Sequence, residues 1–223
     1  IPFIFSSSCT VYGEPDQLPI TENEPSKTAL SPYGNTKQIC EEILADLTKV
    51  NANIPVIALR YFNPIGAHSS AEIGELPIGV PQNLVPFITQ SAAGIRGPIT
   101  IFGNDYPTKD GTCIRDYIHV VDLADAHVVA LKHLNTLSDS PTFDVLNVGT
   151  GKGTSVLEIV QAFERVTNAS LRYTIGERRE GDVVEAYADT TKINRTLGWQ
   201  AAKTLDDALL SAWNWEKKLR GIS

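Results

Sequence analysis

A tyrosine and a lysine four residues apart form the pair with the clearest chemical potential in this sequence. Tyr33 and Lys37 open a segment whose apolar spacing predicts a helix over Tyr33–Val50. Residues at this spacing share one helix face, with their Cβ atoms about 6 Å apart. An ammonium group beside a phenol stabilises the phenolate, and such a phenol can act as a general base near neutral pH. Two residues that merely share a helix face would show the same short pattern.

Small hydroxyl residues precede this pair, at the end of an apolar run that predicts a buried strand over Phe3–Ser7. Ser7 and Ser8 fall at the carboxyl end of that strand, and open α/β sheets bind their ligands at this edge. A serine here could bond a substrate hydroxyl or share a proton with Tyr33, although a solvated turn would look similar. A strand, a serine cluster, a loop and a helix in this order are a more specific signal of a ligand site than any one of these features alone.

Strand and helix patterns alternate along the whole chain. The predicted strands are Phe3–Ser7, Pro55–Tyr61, Ile99–Phe102, Phe143–Val148 and Leu171–Ile175. The predicted helices are Tyr33–Val50, Leu84–Ala93, Val121–Leu134, Ser155–Val166, Thr191–Leu197 and Leu205–Leu219. Short strands that alternate with longer helices predict an α/β fold, built of βαβ units around a mainly parallel sheet.

Composition narrows the class of protein. The chain has 223 residues and a formal charge of 19 − 26 = −7, which is ordinary for a soluble globular protein. An acidic balance without a basic run argues against nucleic acid or an anionic membrane as a partner, and no apolar run could span a bilayer. Cys9, Cys40 and Cys113 lie far apart, which indicates free thiols in a reducing, cytoplasmic setting. The histidines share no ligand spacing, so we expect no metal.

The start of the sequence indicates the later part of a longer protein. The sequence contains no methionine, and it opens inside the apolar run Ile1–Phe5 without a helix cap or a turn. A buried strand of a parallel sheet has this composition and needs a neighbour on each side. We therefore expect further strands before Ile1.

Several longer motifs carry a resemblance to a known family. They are Phe5–Gly13, Ser31–Lys37, Leu59–His68, Gly79–Leu84, Ile101–Tyr106, Asp110–Thr112, Arg115–Leu123, Asn147–Gly151 and Arg178–Asp182. Over essentially its whole length the chain resembles the extended short-chain dehydrogenase/reductases, and within them the UDP-glucose 4-epimerase family. The resemblance implies the later strands of a Rossmann-like parallel sheet, followed by a smaller α/β C-terminal substrate domain. The sequence changes from a regular α/β pattern to a loop-rich one between Phe62 and Pro64, which predicts a domain transition there. We therefore expect residues 1–66 to belong to the NAD-binding domain and 67–223 to the UDP-sugar-binding domain, with 116–150 returning to the first sheet.

The resemblance also implies a reaction and its catalytic groups. The reaction is the interconversion of UDP-galactose and UDP-glucose, by reversible oxidation at C4 with tightly bound NAD and a 4-keto intermediate. Tyr33 would take the proton from the sugar 4-hydroxyl, Lys37 would hold the nicotinamide ribose and assist the phenol, and Ser8 would hydrogen-bond the 4-oxygen. The implied cofactor-side residues are Ser7, Tyr33, Lys37, Tyr61 and Phe62.

A further set of residues would bind the UDP-hexose. Arg115 and Arg179 would pair with the diphosphate, for which a guanidinium fork is well shaped. Ala186 aligns with a position where a bulky residue restricts the sugar, so its small side chain suggests that UDP-GlcNAc and UDP-GalNAc are accepted as well. The implied set is Asn63, Asn83, Leu84, Thr100, Phe102, Arg115, Tyr117, Arg179, Asp182 and Ala186.

A glycine-rich segment resembles the motif of a dinucleotide-binding loop. Gly149–Thr154 follows a predicted strand and opens a helix, but its third glycine falls one residue early and no acidic residue lies about 20 positions on. We interpret it as a tight turn, so the glycine-rich NAD loop implied by the resemblance would precede Ile1. A molecule limited to these residues would then have negligible epimerase activity.

The sequence also allows alternative interpretations of its function. Cys9 and Thr10 stand where dehydratases and decarboxylases of the superfamily carry an acidic residue, which disfavours elimination chemistry. Another nucleotide-sugar epimerase, such as one for UDP-glucuronate, or a non-catalytic UDP-sugar-binding chain would share most of these motifs. The resemblance further implies a homodimer. Its interface would suit four apolar residues of the predicted helix, Ile39, Ile43, Leu44 and Leu47, although packing against the sheet would explain them equally well.

Overall fold

The computed structural model describes residues 1–50, 54–137 and 142–222 as an alternation of strands and helices. In chain order the elements are β1 (Phe3–Ser8), a 3-10 turn (Cys9–Tyr12), α1 (Pro32–Val50), β2 (Val56–Tyr61), β3 (Asn63–Ile65), α2 (Leu84–Ala92), β4 (Ile99–Phe102), β5 (Ile114–Arg115), β6 (Tyr117–His119), α3 (Val120–Leu134), β7 (Phe143–Val148), β8 (Thr154–Ser155), α4 (Val156–Thr167), β9 (Tyr173–Gly176), β10 (Glu185–Ala186), α5 (Thr191–Leu197) and α6 (Leu205–Arg220).

The largest sheet in the described ranges is parallel and has the strand order β1-β2-β7. The central strand β2 is an apolar run that is buried along most of its length, as expected for a strand covered on both faces. Its register places Arg60 opposite Ser7 and Tyr61 opposite Ser8. The serine cluster therefore lies at the carboxyl edge of the sheet, where ligands bind in open α/β folds.

A second group of elements forms the other part of the core. β4 pairs in parallel with β9, and helices α2, α4 and α6 pack around a cluster that includes Ile88, Ile101 and Phe163. The helix starts are well defined: capping boxes open α4, with Ser155 and Glu158, and α6. Such reciprocal bonds satisfy backbone donors that a helix start otherwise leaves open.

Very short strands join the two parts. β3 pairs with β6, while β5 lies between β10 and β8, and Ala186 is the register partner of Arg115. These two- and three-residue strands bring together three segments of the chain: the one after β2, the one before α3 and the one before α5. Their position fixes the side chains described below.

The α/β architecture agrees with the alternation in the sequence, with small shifts in the bounds. β9 covers Tyr173–Gly176, whereas the sequence predicts Leu171–Ile175. The short strands β3, β5, β6, β8 and β10 have no counterpart among the predicted elements. Among the described helices, none combines the length and apolarity needed to cross a membrane.

Candidate active site

One cavity of about 450 Å³ lies between α2, β4, β5 and β6. Its walls come from segments that are distant in sequence: β3, the start of α2, β4, the β5–β6 stretch and the loop before β10. Nine of the ten residues proposed to bind the UDP-hexose line it. They are Asn63, Asn83, Leu84, Thr100, Phe102, Arg115, Tyr117, Arg179 and Asp182.

Strand alternation explains how these side chains reach the cavity. In β4, Thr100 and Phe102 are exposed and line the cavity, whereas Ile101 is buried outside its lining; Ile99 is buried and forms part of the wall. Further along the chain, Cys113, Arg115 and Tyr117 are spaced by two residues and all three line the cavity. In an extended backbone, every second side chain points to the same face. The spacing of two residues is therefore the signal that could have identified Cys113.

The positive charge of the cavity exceeds its negative charge at one end. Arg115 and Arg179 both contact the carboxylate of Asp182, at 3.6 and 3.3 Å. The guanidinium of Arg179 also lies 5.4 Å from the ring centroid of Phe102. Two guanidinium groups share one carboxylate, so this end of the cavity carries a surplus positive charge suited to a phosphate.

The start of α2 forms another wall of the cavity. Asn83 occupies the N-cap position without a side-chain cap bond, and its amide donates to Glu75 at 2.7 Å instead. The first backbone N–H groups of α2 therefore lack a side-chain cap from Asn83, and such groups attract anions. Sequence reasoning missed other wall residues, among them Val80, Gln82 and Phe87. Val80 and Gln82 lie in the motif that ends at Leu84, which was a usable signal.

The three residues implied in catalysis lie at the carboxyl edge of the main sheet. The ammonium of Lys37 lies 5.4 Å from the ring centroid of Tyr33 and donates to the carbonyl oxygen of Ser6 at 2.8 Å. Tyr33 is half exposed. Ser8 is buried, and its hydroxyl accepts from the backbone N–H and the hydroxyl of Thr10, at 3.2 and 3.0 Å. None of these three is among the residues that line the 450 Å³ cavity.

The start of α1 packs tightly against the turn that follows Ser8. A Cβ atom at Gly34 would lie 3.2 Å from the carbonyl oxygen of Thr10, so the absence of a side chain permits this approach. Gly34 directly follows Tyr33, and Thr10 lies two residues after Ser8. This close contact keeps the start of the tyrosine helix beside the serine strand.

The remaining residues on the implied cofactor side differ in their surroundings. Ser7 is fully buried, and its hydroxyl donates to Glu41 at 2.5 Å. Burial raises the pKa of Tyr61 and the nearby phenol of Tyr33 adds to this, although a hydrogen bond with Ser6 opposes it. Tyr61 is therefore protonated at neutral pH.

Phe62 and Ala186 lie together in a small apolar cluster. Both are buried, and the cluster also contains Val11 and Tyr12, with Cys9 packed against it. Ala186 is thus the one implied substrate residue that does not line the cavity. Burial raises the pKa of the Cys9 thiol to about 12, against the effect of Arg115, so this thiol stays neutral.

The backbone N–H groups of the glycine-rich turn at Gly149–Thr154 bind a carboxylate of the protein itself, that of Asp116. Asp116 accepts from the backbone N–H and hydroxyl of Thr150, at 2.8 and 2.6 Å, and from the N–H of Gly151 at 3.0 Å. It also accepts from the N–H of Ala188 at 3.2 Å. A Cβ at Gly149 would come within 2.4 Å of the same carboxylate, which explains that glycine. The N–H groups that would hold a phosphate therefore hold Asp116.

The histidines have structural contacts in the described part of the chain. His119 caps α3 by accepting from the N–H of Val121 at 3.0 Å, and His127 bonds the carbonyl oxygen of Leu123 and the hydroxyl of Ser6. Within the described residues, no group of three or more His, Cys, Asp or Glu side chains could hold a metal ion.

Comparison with known proteins gives a family and a set of relatives. A family model described as GDP-mannose 4,6 dehydratase matches residues 1–211. A Drosophila melanogaster protein named UDP-glucose 4-epimerase is 49% identical, over 97% of this chain and 61% of its own length. A Bacillus subtilis protein of the same name is 49% identical, over 96% of this chain and 62% of its own length. The chain thus spans about three fifths of the curated relatives that it matches.

Solved structures with the same fold carry nucleotide ligands. A UDP-glucose 4-epimerase from Stenotrophomonas maltophila, with bound NAD and formylated UDP-arabinopyranose, matches with a TM-score of 0.95 and 45% identity, over 100% of this chain and 65% of that one. The enzyme from Bifidobacterium longum, in complex with NAD+ and UDP, matches with a TM-score of 0.93 and 44% identity, over 100% of this chain and 65% of that one.

The parallel sheet, its helices and these neighbours define a Rossmann-like α/β protein, which confirms the predicted fold class. The chain belongs to the family described as GDP-mannose 4,6 dehydratase. The resemblance inferred from the motifs is also confirmed, since the relatives at 46% to 50% identity are named UDP-glucose 4-epimerase.

Proposed function

We propose that this protein is an NAD-dependent epimerase that interconverts UDP-galactose and UDP-glucose. The observation that carries the proposal is the convergence of nine side chains from distant segments on one cavity that contains two guanidinium groups. The names of the relatives at 49% identity support it. Because the chain covers only part of those relatives, the activity is proposed for the protein at its natural length.

The cavity would bind the UDP part of the substrate. Arg115 and Arg179 would pair with the diphosphate, since Asp182 balances only one of their two charges. Thr100 and Phe102 project from β4 and would contact the uridine, with the ring of Phe102 as a flat apolar surface. Asn63, Asn83, Leu84 and Tyr117 would complete the site. The Bifidobacterium longum complex with UDP supports this assignment.

Tyr33, Lys37 and Ser8 would handle the proton of the sugar 4-hydroxyl. In the proposed reaction Tyr33 takes this proton as the phenolate, becomes the phenol, and later returns the proton. Lys37 stabilises the phenolate from the same helix face. Ser8 lies on the neighbouring strand and would hold the 4-oxygen by a hydrogen bond, which orients it toward the phenol.

The exposed edge beside these residues fits a nicotinamide cofactor. Tyr33 is half exposed, and Lys37 places an ammonium group at the carboxyl edge of a parallel sheet, where dinucleotides bind in this fold. When bound, NAD supplies reversible acceptance of hydride from C4 of the sugar. Lys37, Tyr61 and Phe62 would hold its nicotinamide side. Ser7, which is fully buried, would support these residues from within the sheet. We keep residues 1–66 and 116–150 as the proposed cofactor half and the remainder of 67–223 as the substrate half.

Three finer proposals accompany this function. The small side chain of Ala186 beside Phe62 favours acceptance of the N-acetylated UDP-sugars. The exposed side chains of Ile39 and Ile43 on α1 favour a homodimer through this helix, while Leu44 and Leu47 are partly buried. The free thiols of the chain favour a cytoplasmic location.

The proposal is tested by product analysis on the protein at its natural length. UDP-galactose is incubated with wild type, with Tyr33→Phe and with Tyr173→Phe, in which an exposed tyrosine of β9 is changed as a control. We expect UDP-glucose from wild type and from Tyr173→Phe, and a loss of about a hundredfold or more in Tyr33→Phe. Conversion of UDP-glucuronate in preference to UDP-galactose would replace the proposal with the related epimerase. Binding of UDP without turnover of either sugar would leave a binding protein.

A further inference from the structure

A buried ion pair lies beneath the proposed catalytic residues. Glu41 of α1 and Arg60 of β2 are joined by two hydrogen bonds, Nη2 to Oε2 at 2.5 Å and Nε to Oε1 at 3.0 Å. Both side chains are less than a tenth exposed. Neither residue touches the 450 Å³ cavity, and the function proposed above does not use either of them.

The ion pair is the centre of a network that joins five elements of the fold. The hydroxyl of Ser7 in β1 donates to Glu41 at 2.5 Å, and the guanidinium of Arg60 lies 4.7 Å from the ring centroid of Tyr12. The Tyr12 hydroxyl donates to Asn147 of β7 at 2.6 Å. Buried charges are tolerated when their hydrogen-bonding capacity is met in this way.

The guanidinium of Arg60 keeps its charge at neutral pH. Burial by itself lowers the pKa of Arg60, but the hydrogen bonds that Arg60 donates to Glu41 and the neighbouring Tyr12 outweigh it and raise that pKa above its ordinary value. Burial also raises the pKa of Tyr12 to about 12, although Arg60 opposes the shift. Tyr12 is therefore a neutral donor to Asn147.

The position of Glu41 relates it directly to the proposed catalytic groups. Glu41 follows Tyr33 by eight residues and Lys37 by four, so the three share one face of α1. In the parallel register, Ser7 pairs with Arg60 and the next pair is Ser8 with Tyr61. The Glu41 carboxylate thus binds Ser7 and Arg60, and Ser8 lies one residue further along β1.

Apolar contacts alone would hold α1 on the sheet at lower cost. Replacing a buried ion pair with well-packed hydrophobic side chains is often neutral or stabilising. Three directed hydrogen bonds to one carboxylate, however, fix the rotation and the axial position of a helix relative to its strands. A displacement of about 1 Å between reacting groups can cost about a hundredfold in rate.

We propose that Glu41 is a positioning residue, whose carboxylate sets the distance between the Tyr33 phenol and the Ser8 hydroxyl through Ser7 and Arg60. This inference rests on the epimerase function proposed above. Glu41 acts through the helix and the strands and has no contact with the substrate.

The test separates the rate of turnover from substrate binding. In the protein at its natural length, Glu41→Gln keeps the size of the side chain but removes its charge, and Glu42→Gln changes the exposed neighbour as a control. We expect kcat per bound NAD to fall about ten- to a hundredfold in Glu41→Gln, with KM for UDP-galactose within about twofold of wild type. The KM should hold because the cavity that binds UDP is built by other side chains. Glu42→Gln should match wild type in both constants.

A second variant keeps the proposal testable if Glu41→Gln fails to fold. Arg60→Lys retains the positive charge but loses the planar fork, so it should lower kcat severalfold with an unchanged KM. The proposal is overturned if a folded Glu41→Gln or Arg60→Lys protein is less heat-stable yet keeps the wild-type kcat, since that result marks a purely structural ion pair. It is also overturned if KM rises in parallel with the loss of kcat. A wild-type protein that does not turn over UDP-galactose refutes the proposed function instead.

Discussion

Replacement of Asp116 by asparagine should destabilise the junction between the main sheet and the cavity. One carboxylate oxygen of Asp116 accepts from the N–H and the hydroxyl of Thr150. The other accepts from the N–H groups of Gly151 and Ala188. The side chain is fully buried, so no water replaces a lost acceptor. Asparagine has the same shape, but one of its two terminal atoms is a donor.

The cost follows from which oxygen the amide nitrogen replaces. If it faces Gly151 and Ala188, two buried N–H groups lose their acceptor, at about 1–3 kcal/mol each. If it faces Thr150, the hydroxyl can rotate to accept and only one N–H is lost, so the cost is about 1–3 kcal/mol. The variant adopts the cheaper orientation. We therefore expect a loss of about 1–3 kcal/mol, equivalent to a fall in Tm of about 2–12 °C for a protein of this size.

Urea unfolding at pH 7 measures this loss directly. Asp46→Asn is the matched control, because this exposed aspartate forms a surface pair with Lys49 that contributes little. Since Arg115 and Tyr117 flank Asp116 and line the cavity, the affinity for UDP should weaken as well. A loss of stability in Asp116→Asn that does not exceed the loss in Asp46→Asn would refute the role given to these four bonds.

Further predictions concern the cavity, the sugar and pH. Arg179→Gln should weaken UDP binding about tenfold or more by calorimetry, because a charge-assisted bond to phosphate is lost, while Arg172→Gln outside the cavity should not. Ala186→Tyr should abolish turnover of UDP-GalNAc but retain that of UDP-galactose; the assignment of this position fails if wild type neither turns over nor binds UDP-GalNAc. Burial and then Lys203 lower the pKa of His119, so its stabilising effect is complete above about pH 6.5 and is lost as the pH falls through the lower folded value. Unfolding curves from pH 7.5 to 5 should show a smaller pH dependence in His119→Asn than in the control His68→Asn.

The sequence predicted the longer elements because their patterns are periodic. β1, β2, β4 and β7 are apolar runs or alternations between turn residues, and α1 and α6 have regular apolar spacing. β5 and β10 could not be found in this way, since two residues cannot show a period. They form only because Ile114 and Glu185, far apart in the chain, are brought together by the rest of the fold.

The candidate site could be predicted in part from motifs, but not its supporting contacts. The motif Arg115–Leu123 was enough to assign Arg115 and Tyr117 to the substrate site, and the structure brings both to the cavity. The contacts of Asp116 and the ion pair of Glu41 with Arg60 depend on packing between distant segments. A single buried charge in a sequence resembles a solvated one, so no local signal distinguished these residues.

The fate of the hydrogen on C4 of the sugar tests the central claim most directly. UDP-galactose that carries deuterium at C4 is incubated with the protein at its natural length, and the UDP-glucose formed is examined by NMR and mass spectrometry. We expect the deuterium to stay at C4 of the product and turnover to be lost in Tyr33→Phe, since the hydrogen leaves and returns at one site without exchange with solvent. Exchange of the deuterium for solvent hydrogen, or turnover that does not depend on Tyr33, would contradict it.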